Sequence, residues 1–364
     1  MKKLLIIALL FWGCDYAPTK HTHEHEHDTA HKHDSNLDCN GELFGSAIID
    51  DCGICTGGTT ELVTNYLMDC AGICGGNTIE YSCGICSDFN NHDFSEITNY
   101  DFSILDSVCD YESQYKSTNS DLLTNLDSAF IFIEGSENNR ILISVPHAQK
   151  SFRYTVDDPD TEDDEHKSEF YTGAYGKILS EITGAALITS QCKSDDANFY
   201  DSIPPHTDTP AFKNMIGQKL PYKTKLDDLL NQNSGNIFLI IDIHGKDSTA
   251  FTSRWAIDVG VGESYQSLTT EIGECIPDIF SSIFLKYGFN STYNSLNKGY
   301  GSQKTITTYV TDEIKTLDAM QLEINSKFRG CDGEEWEDYY NMIMALSEFI
   351  NTMNYIYNSE ILSQ

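Results

Sequence analysis

Apolar residues run without interruption from Ile237 to Ile241, and the run ends in Asp242-Ile243-His244-Gly245. Five consecutive apolar positions, mostly β-branched or aromatic, predict a strand buried on both faces, as in a parallel sheet covered by helices on either side. Ala129–Glu134 and Ile141–Val145 are further strand-like runs, separated by the turn-rich segment Gly135-Ser-Glu-Asn-Asn-Arg140. Apolar positions between Phe170 and Ile182 fit a helix ended by Gly184, and Ala185–Thr189 supplies the next strand. Leu226–Leu230 reads as a short helix, Tyr265–Tyr287 and Glu335–Ile356 as longer ones. This alternation predicts an α/β domain over residues 126–358, with a mostly parallel or mixed sheet flanked by helices.

The N-terminal third has a different texture. Residues 1–13 have a basic start, Met1-Lys2-Lys3, then an apolar stretch from Leu4 to Trp12, then Gly13 before Cys14. That is an export signal, too short to span a membrane. The small residue ahead of Cys14 resembles the bacterial lipoprotein processing site, which implies cleavage and a lipidated Cys14 that anchors the chain to a membrane. A plain secretory signal is the other reading, and both place the protein outside the cytoplasm.

Residues 14–37 are polar and carry His21, His23, His25, His27, His31 and His33 among acidic residues. Such a composition builds no core and is expected to be a disordered tether. It is either a loose transition-metal binder or a solvated spacer. Residues 38–89 contain a repeat: Asp38-Cys39-Asn40-Gly41 returns as Asp69-Cys70-Ala71-Gly72, and Cys52-Gly53-Ile54-Cys55 as Cys83-Gly84-Ile85-Cys86. Paired CxxC units could form a zinc ribbon, but an exported chain favours disulfides. Asp50, Asp51 and Asp69 are candidate calcium ligands beside the alternative of a disulfide-stapled spacer without metal. Seven Cys in this block leave one over, with Cys109 as its candidate partner. Residues 90–125 show no periodicity and read as a linker.

The 364-residue chain has 23 Lys and Arg against 56 Asp and Glu, a net charge of −33. Such a chain repels phosphate backbones, which argues against nucleic acid as a partner. Apolar content of 40% suffices for a real core.

Candidate chemistry gathers at strand ends. His147 follows the Ile141 strand, His244 ends the Ile237 strand, and Glu323 lies in the apolar stretch Met320-Gln-Leu-Glu-Ile324. Open α/β sheets bind ligands at such ends. Two His and a carboxylate form a common catalytic zinc set, and a further Glu can shuttle protons. An isolated Glu in an apolar stretch is costly to bury, which favours a role for Glu323.

Pro146-His147-Ala148, Pro159-Asp160-Thr161-Glu162, Asp196-Ala197-Asn198, Asp242-Ile243-His244, Gly299 and Gln321-Leu322-Glu323 occur in the order and spacing of the N-formylglutamate amidohydrolase family. The chain resembles that family over roughly 129–329. The resemblance implies a zinc carboxypeptidase-like (phosphorylase/hydrolase-like) fold, with zinc held by His147, His244 and Glu162, or Asp160 in place of Glu162. Asp242 would orient His244 from behind, and Glu323 would be the general base. Asn198 falls in a family motif on the substrate side. Where the family carries substrate-binding arginines this chain has Cys192 and Phe199, so Lys193, Arg153 and Arg254 are the candidates to hold a substrate carboxylate. The expected function is zinc-dependent hydrolysis of an amide, in an N-acyl amino acid or a peptide. The alternative is a non-catalytic surface lipoprotein that binds metal or ligand on a degenerate hydrolase scaffold.

Overall fold

The computed structural model describes residues 37–76, 78–80, 86–87, 101, 103–118, 129–152, 167–191, 194–195, 214–215, 217–232, 236–250, 255–295, 305–313 and 317–363. The chain divides into two compact units, Met1–Leu67 and Met68–Gln364. In the first, β1 (Ile48–Ile49) pairs antiparallel with β2 (Cys55–Thr56), and a disulfide joins Cys39 to Cys55. With so little apolar burial, polar turns organise this unit. The Asp38 carboxylate accepts the backbone N–H groups of Asn40, Glu42 and Ala47, which hold its carboxyl below the usual range, Ala47 most strongly. Asp50 accepts those of Cys52, Ile54 and Asn65.

The second unit begins with β3 (Ile79–Glu80), paired with β4 (Cys86–Ser87), and a Cys70–Cys86 disulfide. Asp69 there accepts N–H groups from Ala71, Ile73 and Thr78. The candidate calcium ligands Asp50 and Asp69 thus direct their oxygens at backbone amides, and Asp51 accepts the Asn65 side-chain amide. Among the described residues, neither group of side chains able to hold a metal lies in these repeats. Cys52 and Cys74 are also disulfide-bonded, so the described CxxC cysteines form cross-links, not a zinc ribbon.

The segment read as a linker contains a helix, α1 (Ser103–Thr118). Leu105, Val108 and Tyr115 give it a narrow buried stripe in an otherwise polar sequence. Cys109 on α1 pairs with Cys331 and not with the repeats, contrary to the expectation from counting cysteines.

The remaining elements follow in order: β5 (Phe130–Ile133), β6 (Ile141–Val145), β7 (Ser151–Phe152), α2 (Thr172–Thr183), β8 (Ala186–Ser190), β9 (Ser194–Asp195), α3 (Pro221–Gln232), β10 (Leu239–Lys246), β11 (Trp255–Gly260), α4 (Ile276–Lys286), β12 (Asn290–Tyr293), α5 (Ile306–Glu313), β13 (Asp318–Asn325) and α6 (Trp336–Ser363). Seven strands form one sheet in the order β12-β11-β13-β10-β6-β8-β5. The central strands β13, β10, β6 and β8 are mutually parallel, while β5 pairs antiparallel with β8 and β11 antiparallel with β13. The sheet is mixed and mostly parallel, as the alternation of elements predicts.

Each central strand sends alternate residues to opposite faces. Ile141, Ile143, Val145, Leu239, Ile241, Ile243, Met320, Leu322 and Ile324 enter one large core with residues of α1, α2, α4 and α6. Leu142, Ile240 and Ala319 face a smaller core with residues of α3 and α5. The helix expected over Tyr265–Tyr287 starts only at Ile276. Ser264 and Tyr265 have left-handed backbone, and the N–H groups of Thr269 and Thr270 donate to the buried Asp318 carboxylate instead of to a helix.

Candidate metal and catalytic site

The parallel strands β6 and β10 end side by side, and each delivers a histidine. His147 lies two residues past the end of β6; His244 is the sixth residue of β10, which runs on past the apolar core of its sequence to Lys246. Both side chains are buried, and the two rings meet edge to face at 4.7 Å between centroids. Glu169 sits between them, in the segment leading into α2. Its Oε1 is 3.0 Å from His147 Nδ1 and its Oε2 is 3.2 Å from His244 Nδ1. The backbone fixes this carboxylate twice: the Glu169 N–H donates to the His147 carbonyl at 2.9 Å, and the Gly245 N–H donates to Oε2 at 2.9 Å.

Behind His244 stands a buried polar column. His244 Nε2 lies 3.0 Å from Asp242 Oδ2, and Asp242 Oδ1 accepts from Ser144 Oγ at 2.7 Å. Ser144 Oγ is also within 3.1 Å of Tyr222 Oη on α3, which accepts the Val145 N–H and donates to the Ile188 carbonyl. Burial disfavours a charged His244, but the carboxylates of Glu169 and Asp242 outweigh it and raise the imidazole well above its ordinary value.

Register adds the next residue. Along the β10–β13 pair His244 lies opposite Glu323, and along the β11–β13 pair Glu323 lies opposite Asp258. Partners in register share a face, so Glu323 projects to the same side as His244. It is buried, and the Gln321 amide donates to its Oε1 at 3.2 Å.

A cavity of about 730 Å³ opens beside Glu169 and Gly245. Its walls include Lys150, Lys167, Lys246 and Arg329, against the acids Glu169 and Asp247, with Phe170, Tyr171 and Ser326. Arg329 is buried and donates to the carbonyls of Phe170 and Lys246. Its guanidinium lies so close over Gly245 that a Cβ there would come within 2.2 Å of it, so a side chain at position 245 would displace the guanidinium. Burial lowers the Arg329 pKa; Glu169, Glu323 and Glu112 act in the opposite direction.

The structure therefore brings together His147, His244, Asp242 and Glu323 of the residues singled out from sequence. Glu162, Asp160, Asn198, Lys193, Arg153, Arg254 and Cys14 lie outside the described residues. The carboxylate between the histidines is Glu169, which sequence reading passed over in favour of the dense acidic run just before it. Its one local signal is its place immediately ahead of the α2 pattern. Arg329 was missed likewise, because nothing in Lys327-Phe328-Arg329-Gly330 points inward.

His147, Glu169 and His244 offer ligand atoms that all lie within 4.8 Å of one another. Two imidazoles and one carboxylate suit zinc and leave a coordination position for water or substrate. Asp242 lies on the ring nitrogen of His244 that faces away from Glu169, where the outer partner of a metal-binding histidine usually sits. Among the described residues no helix is long and apolar enough to cross a membrane.

No protein-family model and no curated protein matches the chain. Solved structures with a similar layout include N-formylglutamate amidohydrolase from Ralstonia eutropha JMP134, at 14% identity over 64% of this chain and 99% of that one, with a TM-score of 0.43. A metallo-carboxypeptidase from Pseudomonas aeruginosa aligns at 10% identity over 68% of this chain and 67% of its own, TM-score 0.36. A putative metallopeptidase from Shewanella amazonensis aligns at 10% identity over 70% of this chain and 93% of its own, TM-score 0.34.

Proposed function

We propose that the chain is a zinc-dependent hydrolase of an amide bond, in an N-acyl amino acid or a peptide. The observation that carries this is the buried His147–Glu169–His244 cluster with Glu323 beside it in register. Zinc bound there would acidify a water molecule and polarise the substrate carbonyl. Glu323 is the group placed to take a proton on its carboxylate and to return it to the leaving nitrogen. Asp242, anchored by Ser144, fixes the His244 ring through Nε2 so that Nδ1 faces Glu169. Lys150, Lys167, Lys246 and Arg329 form a cationic wall in a chain of net charge −33, and this wall favours a substrate bearing a carboxylate.

The disulfides fit a non-reducing, extracytoplasmic setting. Lipidation at Cys14 and attachment to the cell envelope complete the reading; an amide or peptide met there is the natural substrate class. The deciding experiment is zinc per chain on the whole protein, with His147→Ala and His244→Ala beside it, so that the His-rich tract contributes equally to all three. About one tightly held zinc that both variants lose, together with amide hydrolysis that both lose, is the expected result. Equal zinc in all three would remove the assignment and leave the non-catalytic, ligand-binding scaffold.

A further inference from the structure

Glu169 owes its position to a turn, and that turn has an unusual residue in it. Tyr171, two positions on, has φ 68° and ψ −11°, the left-handed region, at the entrance to α2. A bulky aromatic side chain rarely adopts that conformation without something holding it there. The turn lets Thr172 donate to the Glu169 carbonyl from both N–H (3.2 Å) and Oγ1 (2.6 Å), while the Glu169 side chain turns back toward the two histidines.

What holds the turn is α1. Glu112 is buried, and its Oε2 accepts the Tyr171 N–H at 2.8 Å. One helical turn later, Lys116 sits over the rings of Phe170 and Tyr171. The helix is itself fixed on three sides: Cys109 is bonded to Cys331, the Tyr115 carbonyl accepts from Gln149 Nε2 at 3.0 Å, and the Tyr115 ring fills the space where Gly173 has no side chain. Each contact reaches a segment that borders the cluster: the residues after His147, after Glu169 and after Arg329.

We propose that Glu112 is a positioning residue for the metal ligand Glu169, acting through the left-handed turn at Tyr171. The inference rests on the zinc site proposed above. A buried carboxylate whose ion pair with Lys116 is 3.8 Å long and half exposed is an expensive way to fill space. As the acceptor for the amide of a strained residue, it has a purpose.

The test is zinc affinity by chelator competition on the whole chain, with the His147→Ala protein as the baseline for the tract. Glu112→Ala is expected to weaken zinc binding about 10–100-fold, the range typical of outer partners of metal ligands. Glu112→Gln keeps an acceptor for the Tyr171 amide and is expected to bind like wild type. Tyr171→Gly added to Glu112→Ala should restore affinity, because glycine takes the left-handed turn unaided. A Glu112→Ala protein that melts earlier yet binds zinc as wild type does would overturn the proposal, since Glu112 would then be an ordinary buried carboxylate. Failure of Tyr171→Gly to restore binding would equally overturn the route through the turn. If Glu112→Ala does not fold, Glu112→Asp, one methylene too short to reach the amide, replaces it with the same expectation and the same refutation. A wild-type chain with no more tight zinc than His147→Ala would remove the zinc site itself, and this proposal with it; that result is read before any Glu112 variant.

Discussion

The two faces of the central sheet are made by the same strands and serve different ends. Toward α2, α4 and α6 the central strands present mostly apolar residues: Ile141, Ile143 and Val145, then Leu239, Ile241 and Ile243, then Met320, Leu322 and Ile324, with the buried Asp318, bonded to Tyr357 of α6, a charged exception at the start of β13. Toward α3 and α5 the same strands begin apolar, with Leu142, Ile240 and Ala319, and turn polar at their C-terminal halves, with Ser144, Asp242, His244, Gln321 and Glu323. One face is given over mainly to burial. The other accepts the cost of buried polar groups, offset by bonding them to one another. Stability and chemistry are thus separated by one step along the strand, since neighbours in sequence point to opposite sides.

That separation can be broken from either side. The largest effect is expected for Glu323→Gln on the polar face: amide hydrolysis should fall roughly 10²–10⁴-fold, with zinc content and melting temperature close to wild type. Steady-state kinetics beside elemental analysis checks it, and a parallel loss of zinc would show Glu323 to be a ligand or a fold element. Phe349→Ala, which empties space against Phe280 on the apolar face, should cost about 3–5 kcal/mol in denaturant unfolding while the folded fraction keeps wild-type zinc affinity. Asp242→Asn should weaken zinc about 10–100-fold by removing the charge behind His244, with kcat at saturating zinc less affected.

A smaller effect follows from the raised His244 pKa. Folded-state protonation above the ordinary value of 6.5 contributes stability that is fully present below pH 6.5 and is lost as pH rises through the raised value. The zinc-free protein should therefore lose melting temperature as pH climbs above 6.5, and His244→Ala should flatten that slope. Zinc needs the neutral ring, so binding should release a proton and strengthen over the same interval. Smallest is Tyr222→Phe, expected to cost about 1 kcal/mol by loosening the column under Asp242.

The apolar face was legible in the sequence. Ile141–Val145 is a strand with the boundaries its pattern predicts, and Gly184 ends α2 in left-handed backbone. The polar face was legible only where a residue type was odd for its surroundings, as with His244 and Glu323. Helix α1 was not, because a stripe of Leu105, Val108 and Tyr115 in a polar segment is too narrow to stand out. Nor was Glu169: the acidic run before it draws attention to Asp160 and Glu162, and only closure of the chain onto two strand ends brings Glu169 to both histidines. The expected helix over Tyr265–Tyr287 overshot because Asp318, far along the chain, takes the amides of Thr269 and Thr270.

The bond between Cys109 and Cys331 spans a sequence separation of 222 residues, and this sets an order of events during biosynthesis. A chain made from its N-terminus exposes Cys109 while the ribosome is still far from Cys331. In that interval Cys83 and Cys86 are its nearest cysteines along the chain, and short loops close more readily than long ones. A thiol at Cys109 that paired with either would have to be reshuffled before α1 could be locked against the cavity. The Cys109–Cys331 bond thus forms only after the rest of the chain has been made, and the supply of thiol–disulfide exchange at that moment governs how much of the protein reaches its fully cross-linked form.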